Sequence, residues 1–403
     1  MITRTIDLYR SAYTGLSRET WWLSLVMLIN RSGTMVVPFL GLYLTDPSMG
    51  YSIGQSGIVM GLFGLGAVIG AYISGKLTDK IGFYPIQLFT LMVGGLLFFT
   101  LGQMKTYPLI CLFTFLLSFV NEAFRPANST AIAFYSKEEN RTRSYALNRL
   151  AINIGWAIGS ALAGFVASYN YELLFWIDGA TNIIAAVLMW IVLHPNLRTK
   201  KDSNKSETQL DLNHSINKDR IYLWFILFTF IFAACFFQVF TNLPIYFRND
   251  LHFSEQYIGL LNASNGIIIA FVEMILVFKL EGRRSSTFYI TRGVMLCGFA
   301  YLILSIFHGN WWLAIIMIVT LTCGEILAMP FMNTFWISRS NALNRGQYAA
   351  YYTIAWASAQ SLGPLIASQV VEVSSFNLLW WLMGGFCLIS SSGFAWLHRK
   401  LYK

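Results

Sequence analysis

Six ionisable residues lie well inside long apolar runs of the sequence: Arg31, Glu122, Arg125, Asp178, Glu273 and Glu325. A charge at the centre of a bilayer costs ~2.5–3.5 kcal/mol on insertion scales, so residues of this kind tend to face a cavity and mark a path for ions or substrate. Glu122 and Arg125 are three apart, which puts both on one side of a helix and within pairing range. Pro126 follows directly; it removes one backbone hydrogen bond and allows a kink beside the pair. The chemistry open to such a set is proton exchange. Two permanently charged arginines meet four carboxyl groups, so two acids lack a cationic partner even if each arginine takes one. An acid so placed can load and release a proton as each side of the membrane opens to water. Glu122 ranks first for this role, Glu325 second and Glu273 third. Asp178, beside Gly179 near one end of its run, reads as solvated or bonded to a loop. For each residue the competing reading is a buried ion pair that only fixes helix packing.

Other chemistries find few residues to carry them. His194, His252, His308 and His398 sit at the edges of apolar runs and His214 in polar sequence, so a histidine relay is not expected. The cysteines Cys111, Cys235, Cys297, Cys323 and Cys387 are scattered singly, which predicts packing positions and neither disulfides nor metal ligands. No glycine loop with a lysine could cradle phosphate, and no nucleophile–base set is visible, so the sequence supports neither ATP-driven work nor an enzyme. No cofactor or metal is expected, and the energy source would be a proton gradient. The net charge of +9 is spread over short loops, which predicts no nucleic-acid partner.

The elements that must position these charges follow from composition. Of 403 residues, 56% are hydrophobic and 12% charged, about half the ~25% charged residues usual in soluble domains. Apolar runs near the ~20 residues that cross a bilayer recur throughout. The chain therefore reads as an all-α integral membrane protein with twelve spans, at roughly 20–44, 54–77, 84–104, 108–135, 144–168, 172–194, 221–247, 256–280, 286–307, 311–337, 345–371 and 376–398. With the N-terminus inside, 24 of the 28 bases fall in inner loops and ends, so the positive-inside rule puts both termini in the cytoplasm. Short loops point to a prokaryotic inner membrane. Residues 195–220 are polar and aperiodic and read as a cytoplasmic linker between a bundle at 1–194 and another at 221–403.

The two halves repeat. At a shift of 204, Pro126 meets Pro330, Asn140-Arg141 meets Asn344-Arg345, and Gly159 meets Gly363; at 202, Ser52 and Gly57 meet Ser254 and Gly259, and Asp79 meets Glu281. Two parallel six-helix repeats imply a pseudo-two-fold axis along the membrane normal and a site at the midplane.

The stretch between the second and third spans, with Gly75, Leu77, Asp79, Lys80 and Gly82, resembles the signature G-x-L-x-D-[RK]-x-G-[RK]-[RK] of the major facilitator superfamily; Phe83 and Tyr84 replace its last two bases. The resemblance implies that fold, with two pseudo-symmetric six-helix bundles. It also implies a cytoplasmic gate in which Asp79 meets the start of the eleventh span near Arg345, with Lys80 and Arg141 or Arg143 relaying the contact. In the fifth span, Gly155-x-x-x-Gly159-Ser160-x-x-Ala163-Gly164 is similar to the motif of drug/proton antiporters, with serine in place of its proline; the eleventh span has Gly363-Pro364. Read without the fold, these small residues are helix-packing positions. Phe124-Arg125-Pro126 and Ile152-Asn153-Ile154-Gly155 are also similar to proton-coupled oligopeptide transporters, although the first span, Asn30-Arg31-Ser32-Gly33, lacks that family's acidic partner.

The resemblance places the first and fourth spans on the cavity, so Arg31, Glu122 and Arg125, with Asn30, would line it from the first half. Glu273, Glu325, Gln238 and Asn242 would line it from the second. Phe236, Phe237 and Phe240 beside those amides suit an amphipathic molecule, and they equally suit lipid contact. The expected function is proton-coupled export of small amphipathic molecules by a monomer, the alternative being peptide or nutrient uptake. A receptor on the same fold that transports nothing is a further alternative.

Overall fold

Helix is the only regular structure among the described residues. The computed structural model describes 15–137, 141–193, 219–280, 282–306, 311–340 and 345–402; the side chains at 79, 141, 142, 274, 278 and 345–347 lie outside the described set. α1 runs Arg18–Ser32 and resumes as Val36–Leu44. α2 is Ile53–Ile81, α3 Phe83–Gly102, and α4 Tyr107–Glu122 followed by Phe124–Tyr135. α5 is Arg141–Ala167 and α6 Glu172–Val192. α7 joins Arg220–Phe236, a tight turn Phe237–Phe240, and Asn242–Asn249. α8 joins Glu255–Ile268, a wide turn Ile269–Glu273, and Met274–Leu280. α9 is Ser286–Ile306, α10 Trp311–Arg339, α11 Arg345–Val373 and α12 Phe376–Leu401. Eleven of these stretches are long and apolar enough to cross a bilayer. α11, with 29 residues, is the twelfth. The expected all-α, twelve-span membrane architecture is present.

Packing gathers the described residues into two units. One takes those within 15–39, 65–193 and 255–270; the other takes 40–64, 219–254 and 271–402. These units do not follow the sequence halves along their whole length. In the second unit the start of α2 packs on α11: a Cβ at Gly64 would meet Ser361 Cα at 2.5 Å, and Ser361 donates its hydroxyl to Gly61 O at 2.8 Å. In the first, the start of α8 packs on α5, where a Cβ at Gly259 would meet Gly164 Cα at 2.8 Å. Apolar side chains gain little from burial when the solvent is lipid, so close backbone approach at small residues is what holds such pairs.

The sequence repeat recurs in the backbone. Gly50 and His252 both have positive φ, 69° and 53°, at the shift of 202. Gly82 and Gly282, which turn the chain between α2 and α3 and between α8 and α9, both have positive φ, 87° and 74°. A residue without Cβ suits that conformation.

Each unit also has its own packed interior. In the first, Leu23, Met27, Phe83, Phe124, Ala127, Ala186 and Met189 bring α1, α3, α4 and α6 together. In the second, Trp380 lies parallel to Tyr301 with centroids 5.7 Å apart, and Tyr301 donates to Cys235 O at 2.7 Å. These interiors hold the broken helices described next.

Candidate functional site

α1 breaks over Gly33–Met35, and the restart leaves the first amides of Val36–Leu44 without helical partners. Asp178 of α6 supplies them. Its Oδ1 accepts from Met35 N–H at 2.9 Å, and its Oδ2 accepts from Met35 N–H at 3.1 Å and Val36 N–H at 2.9 Å. The side chain is fully buried. A carboxylate at a helix start is stabilised both by the amides and by the helix dipole. Asp178 is therefore a cap, bonded to backbone inside the protein rather than to solvent or a loop at the end of its run. Asn182, one turn on, accepts from Asn30 Nδ2 at 2.9 Å and donates to Asp178 O at 2.8 Å.

α4 breaks at Ala123, three residues before Pro126. The proline has no N–H to offer the carbonyl four residues earlier, which is that of Glu122. Ser74 of α2 steadies the opening by donating its hydroxyl to Ala123 O at 2.5 Å. The kink expected at Pro126 thus falls beside Glu122. Across it, Arg125 pairs with Glu122 at 3.0 Å; the arginine side chain is 70% exposed and the glutamate 14%. An exposed guanidinium in mid-span must face water rather than lipid.

Arg31 completes the group. It lies within electrostatic reach of both Glu122 and Arg125, and its Nε is buried without a hydrogen-bond partner. The glycines of α5 make room for it. A Cβ at Gly155 would come 2.7 Å from Arg31 Cβ, and one at Gly159 would come 3.1 Å from Arg31 O. The stretch read as an antiporter motif therefore seats α1 where it breaks. Gly164 serves the α5–α8 contact, Gly363 seats α11 against Ala234 O of α7, and Pro364 O lies beside Gly57.

The other expected residues are distributed as follows. Gln238 and Asn242 are fully buried at the tight turn of α7, where Asn242 donates to Gln238 Oε1 at 2.7 Å and accepts from Ser368 Oγ at 3.0 Å. Pro244 withholds an N–H from Phe240 O, as Pro126 does from Glu122. Glu273 is buried in the wide turn of α8, and Glu325 is half-buried on α10. Of the gate, Gly75 has open space around its Cα and Lys80 is exposed, whereas the side chains of Asp79, Arg141 and Arg345 lie outside the described residues. Two groups went unnoticed in the sequence. Tyr145 and Arg149 of α5 are exposed one turn apart, and Tyr145 donates to Ser129 O of α4 at 2.9 Å.

Beyond the far end of α1, Asp46 pairs with Arg248 at 3.1 Å, and Arg248 also donates to Leu42 O at 3.0 Å. Burial pushes the Asp46 carboxyl up, but hydrogen bonds from Ser48 and the Arg248 guanidinium outweigh it and hold the group below the usual carboxylate range. This pair stays ionised at neutral pH and is no proton carrier.

Twelve spans in two repeats, with helices broken at buried charges, are the build of a secondary transporter. The chain belongs to the major facilitator superfamily, whose sequence profile matches residues 21–364. It is 21% identical over 349 residues to the Quinolone resistance protein NorA of Staphylococcus aureus (strain COL), covering 86% of this chain and 88% of that one. It is 22% identical over 408 residues to a Na(+), Li(+), K(+)/H(+) antiporter of Planococcus maritimus, covering 92% and 93%. In fold it is similar to a POT family transporter in complex with 5-aminolevulinic acid, with a TM-score of 0.80, 13% identity and coverage of 97% and 98%. It is likewise similar to the nucleoside transporter NupG, with a TM-score of 0.81, 15% identity and coverage of 94% and 100%. The protein is thus a multi-pass membrane transporter of small molecules and not an enzyme.

Proposed function

We propose that this chain is a proton-coupled antiporter that exports small amphipathic molecules by alternating access. One observation carries the reading: the carboxylate of Glu122 pairs with Arg125 at the break of a helix, within electrostatic reach of Arg31. Protonating Glu122 removes the negative partner of two cations and releases the two parts of α4 from one another. That changes the relative stability of the facing states, which is what coupling requires. The packing of Gly155 and Gly159 on Arg31 supports the antiporter branch, as do relatives named for quinolone resistance and for cation/proton antiport. Glu325 and then Glu273 are the secondary carriers. Asp79 acts as gate latch against the start of α11, with Lys80 and Arg141 or Arg345 beside it. The moving bodies are the halves 1–194 and 221–403 of a monomer, in a prokaryotic inner membrane with both termini cytoplasmic.

The test is Glu122→Gln in proteoliposomes. Proton-driven flux is expected to vanish while substrate exchange without a gradient persists. Loss of both would assign Glu122 to structure and end the coupling claim. Flux running with the imposed proton gradient rather than against it would replace export by uptake symport.

A further inference from the structure

α9, in the second unit, carries an arginine on a face that meets lipid. Its buried residues, Tyr289, Gly293, Cys297 and Tyr301 among them, turn inward. The opposite stripe reads Phe288, Arg292, Met295, Phe299, Ile303 and Ile306 at helical spacing, none of it buried. A wall facing water would be polar; this one is apolar apart from Arg292. That residue stands six places past Ser286, the start of the span, about 9 Å along the axis and so at hydrocarbon depth. A guanidinium starting there has to reach back to the headgroups. Its course is fixed by Phe288, one turn nearer the helix start, whose ring centroid lies 4.4 Å from Arg292 Cζ. Arg284, which precedes the helix, comes to the same ring at 5.7 Å. Two exposed guanidinium groups thus converge on one phenyl ring where α9 enters the membrane. The ring brings no formal charge to offset them, and α9 and α12 contain no acid. Among the described residues neither arginine has a carboxylate partner. His398 of α12, with Nδ1 2.9 Å from Thr287 Oγ1 and 3.1 Å from Ser285 Oγ, brings Arg399 and Lys400 to the same membrane face. The counterpart helix of the first repeat, α3, has no acid or base at all, so the repeat does not demand these cations.

We infer that Arg284 and Arg292 bind the phosphodiester of an anionic phospholipid, whose acyl chains lie along Met295, Phe299 and Ile306. Guanidinium groups offer paired donors that match phosphate oxygens, and basic pockets at a membrane face hold such headgroups. A lipid rather than a free anion is selected because the apolar stripe continues directly from the cation at hydrocarbon depth. A net anionic lipid is favoured over a zwitterionic one, whose ammonium would enter a face already carrying Arg284, Arg399 and Lys400. The bound lipid joins the start of α9 to the membrane surface independently of what the protein transports.

The experiment titrates the full chain in an uncharged detergent and counts bound lipid by native mass spectrometry. The probes are dioleoyl phosphatidylglycerol, dioleoyl phosphatidylcholine, glycerophosphoglycerol without acyl chains, and inorganic phosphate. Phosphatidylglycerol should bind at least about fivefold tighter than phosphatidylcholine, the weight of one base at an anionic membrane surface. Neither soluble phosphate should bind. Arg292→Gln and Arg284→Gln should each remove about fivefold of the phosphatidylglycerol affinity, and Arg292→Lys less. Arg283→Gln removes the same charge from the same membrane face at an exposed residue with no ring beneath it, and should cost less than about twofold. All variants should unfold at the parent's midpoint in lipid-free detergent, since the positions altered are exposed. Equal losses from Arg283→Gln and Arg292→Gln would mean diffuse attraction and overturn the site. Phosphatidylcholine binding as tightly as phosphatidylglycerol overturns the charge preference on which the inference stands. Soluble phosphate binding as tightly as the lipid overturns the choice of a lipid.

Discussion

α4 and α10 are the same helix in the two repeats, and they differ where it matters. Pro126 and Pro330 are in register, and in each helix the threonine one turn on, Thr130 or Thr334, donates its hydroxyl to the proline carbonyl at 3.1 Å. Each proline deprives the carbonyl four residues earlier, Glu122 in α4 and Ile326 in α10. Yet α4 opens at Ala123 while α10 is helical from Trp311 to Arg339. The difference lies outside the helix. Ser74 of α2 adds a donor to Ala123 O, next to the deprived carbonyl of Glu122, and its counterpart at the shift of 202 is Leu276, which has none to give. The ion pair follows the break: Glu122 and Arg125 correspond to Ile326 and Met329, and α10 has an acid, Glu325, with no arginine three residues on. A proline in mid-helix permits a hinge; a neighbour's hydroxyl decides whether it is taken.

The largest effect expected from this comparison is kinetic. Pro126→Ala restores an N–H to Glu122 O and favours the straight helix by up to about 3 kcal/mol, about a hundredfold in the population of the broken form. Transport by that variant should fall by one to two orders of magnitude, since the change acts on a hinge. Pro330→Ala, in a helix that is already continuous, should leave the rate within about twofold and raise the unfolding midpoint, because an interior proline is a cost there. Equal slowing by both substitutions would show that the break in α4 has no special part in turnover. Ser74→Ala comes next. It removes one side-chain hydrogen bond to Ala123 O, a loss of about 0.5–1.5 kcal/mol, and Leu276→Ala offers a contrast in which only packing changes. If Ser74→Ala unfolds at the same denaturant midpoint as the parent, the hydroxyl does not hold the break.

Much of this was legible before any coordinates. Composition and run length dictate twelve helices, and Pro126 beside Glu122 and Arg125 marks the hinge, because proline acts on a fixed neighbour four residues back. Asp178 was read as a loop or solvent contact, since its partners, Met35 and Val36, lie 143 and 142 residues away and no local pattern joins them. Gln238 and Asn242 carry polar groups that suit a cavity as well as a helix turn; their mutual bond decides between surroundings that the residue types cannot. Arg149 counted as one more loop base near a membrane face. Its neighbour one turn back, Tyr145, donates to Ser129 O of α4, a contact that no local pattern joins.

The smallest effect sharpens the comparison most. Thr130 and Thr334 make the same bond in the same register, both at exposed positions, so they sample what the repeats share. A hydroxyl returning to the carbonyl one turn back competes with the helix and favours bending. Removing it by Thr130→Val or Thr334→Val should change stability by no more than about 0.5 kcal/mol in either helix, as for other surface positions, and by the same amount in both. Denaturation of the two variants in the same detergent measures the difference. If the two values agree, the proline–threonine step is a neutral frame common to both repeats, and the asymmetry belongs to Ser74 and the charges. If Thr130→Val alone is destabilising, the threonine supports the opening in α4, and the hinge has two causes instead of one.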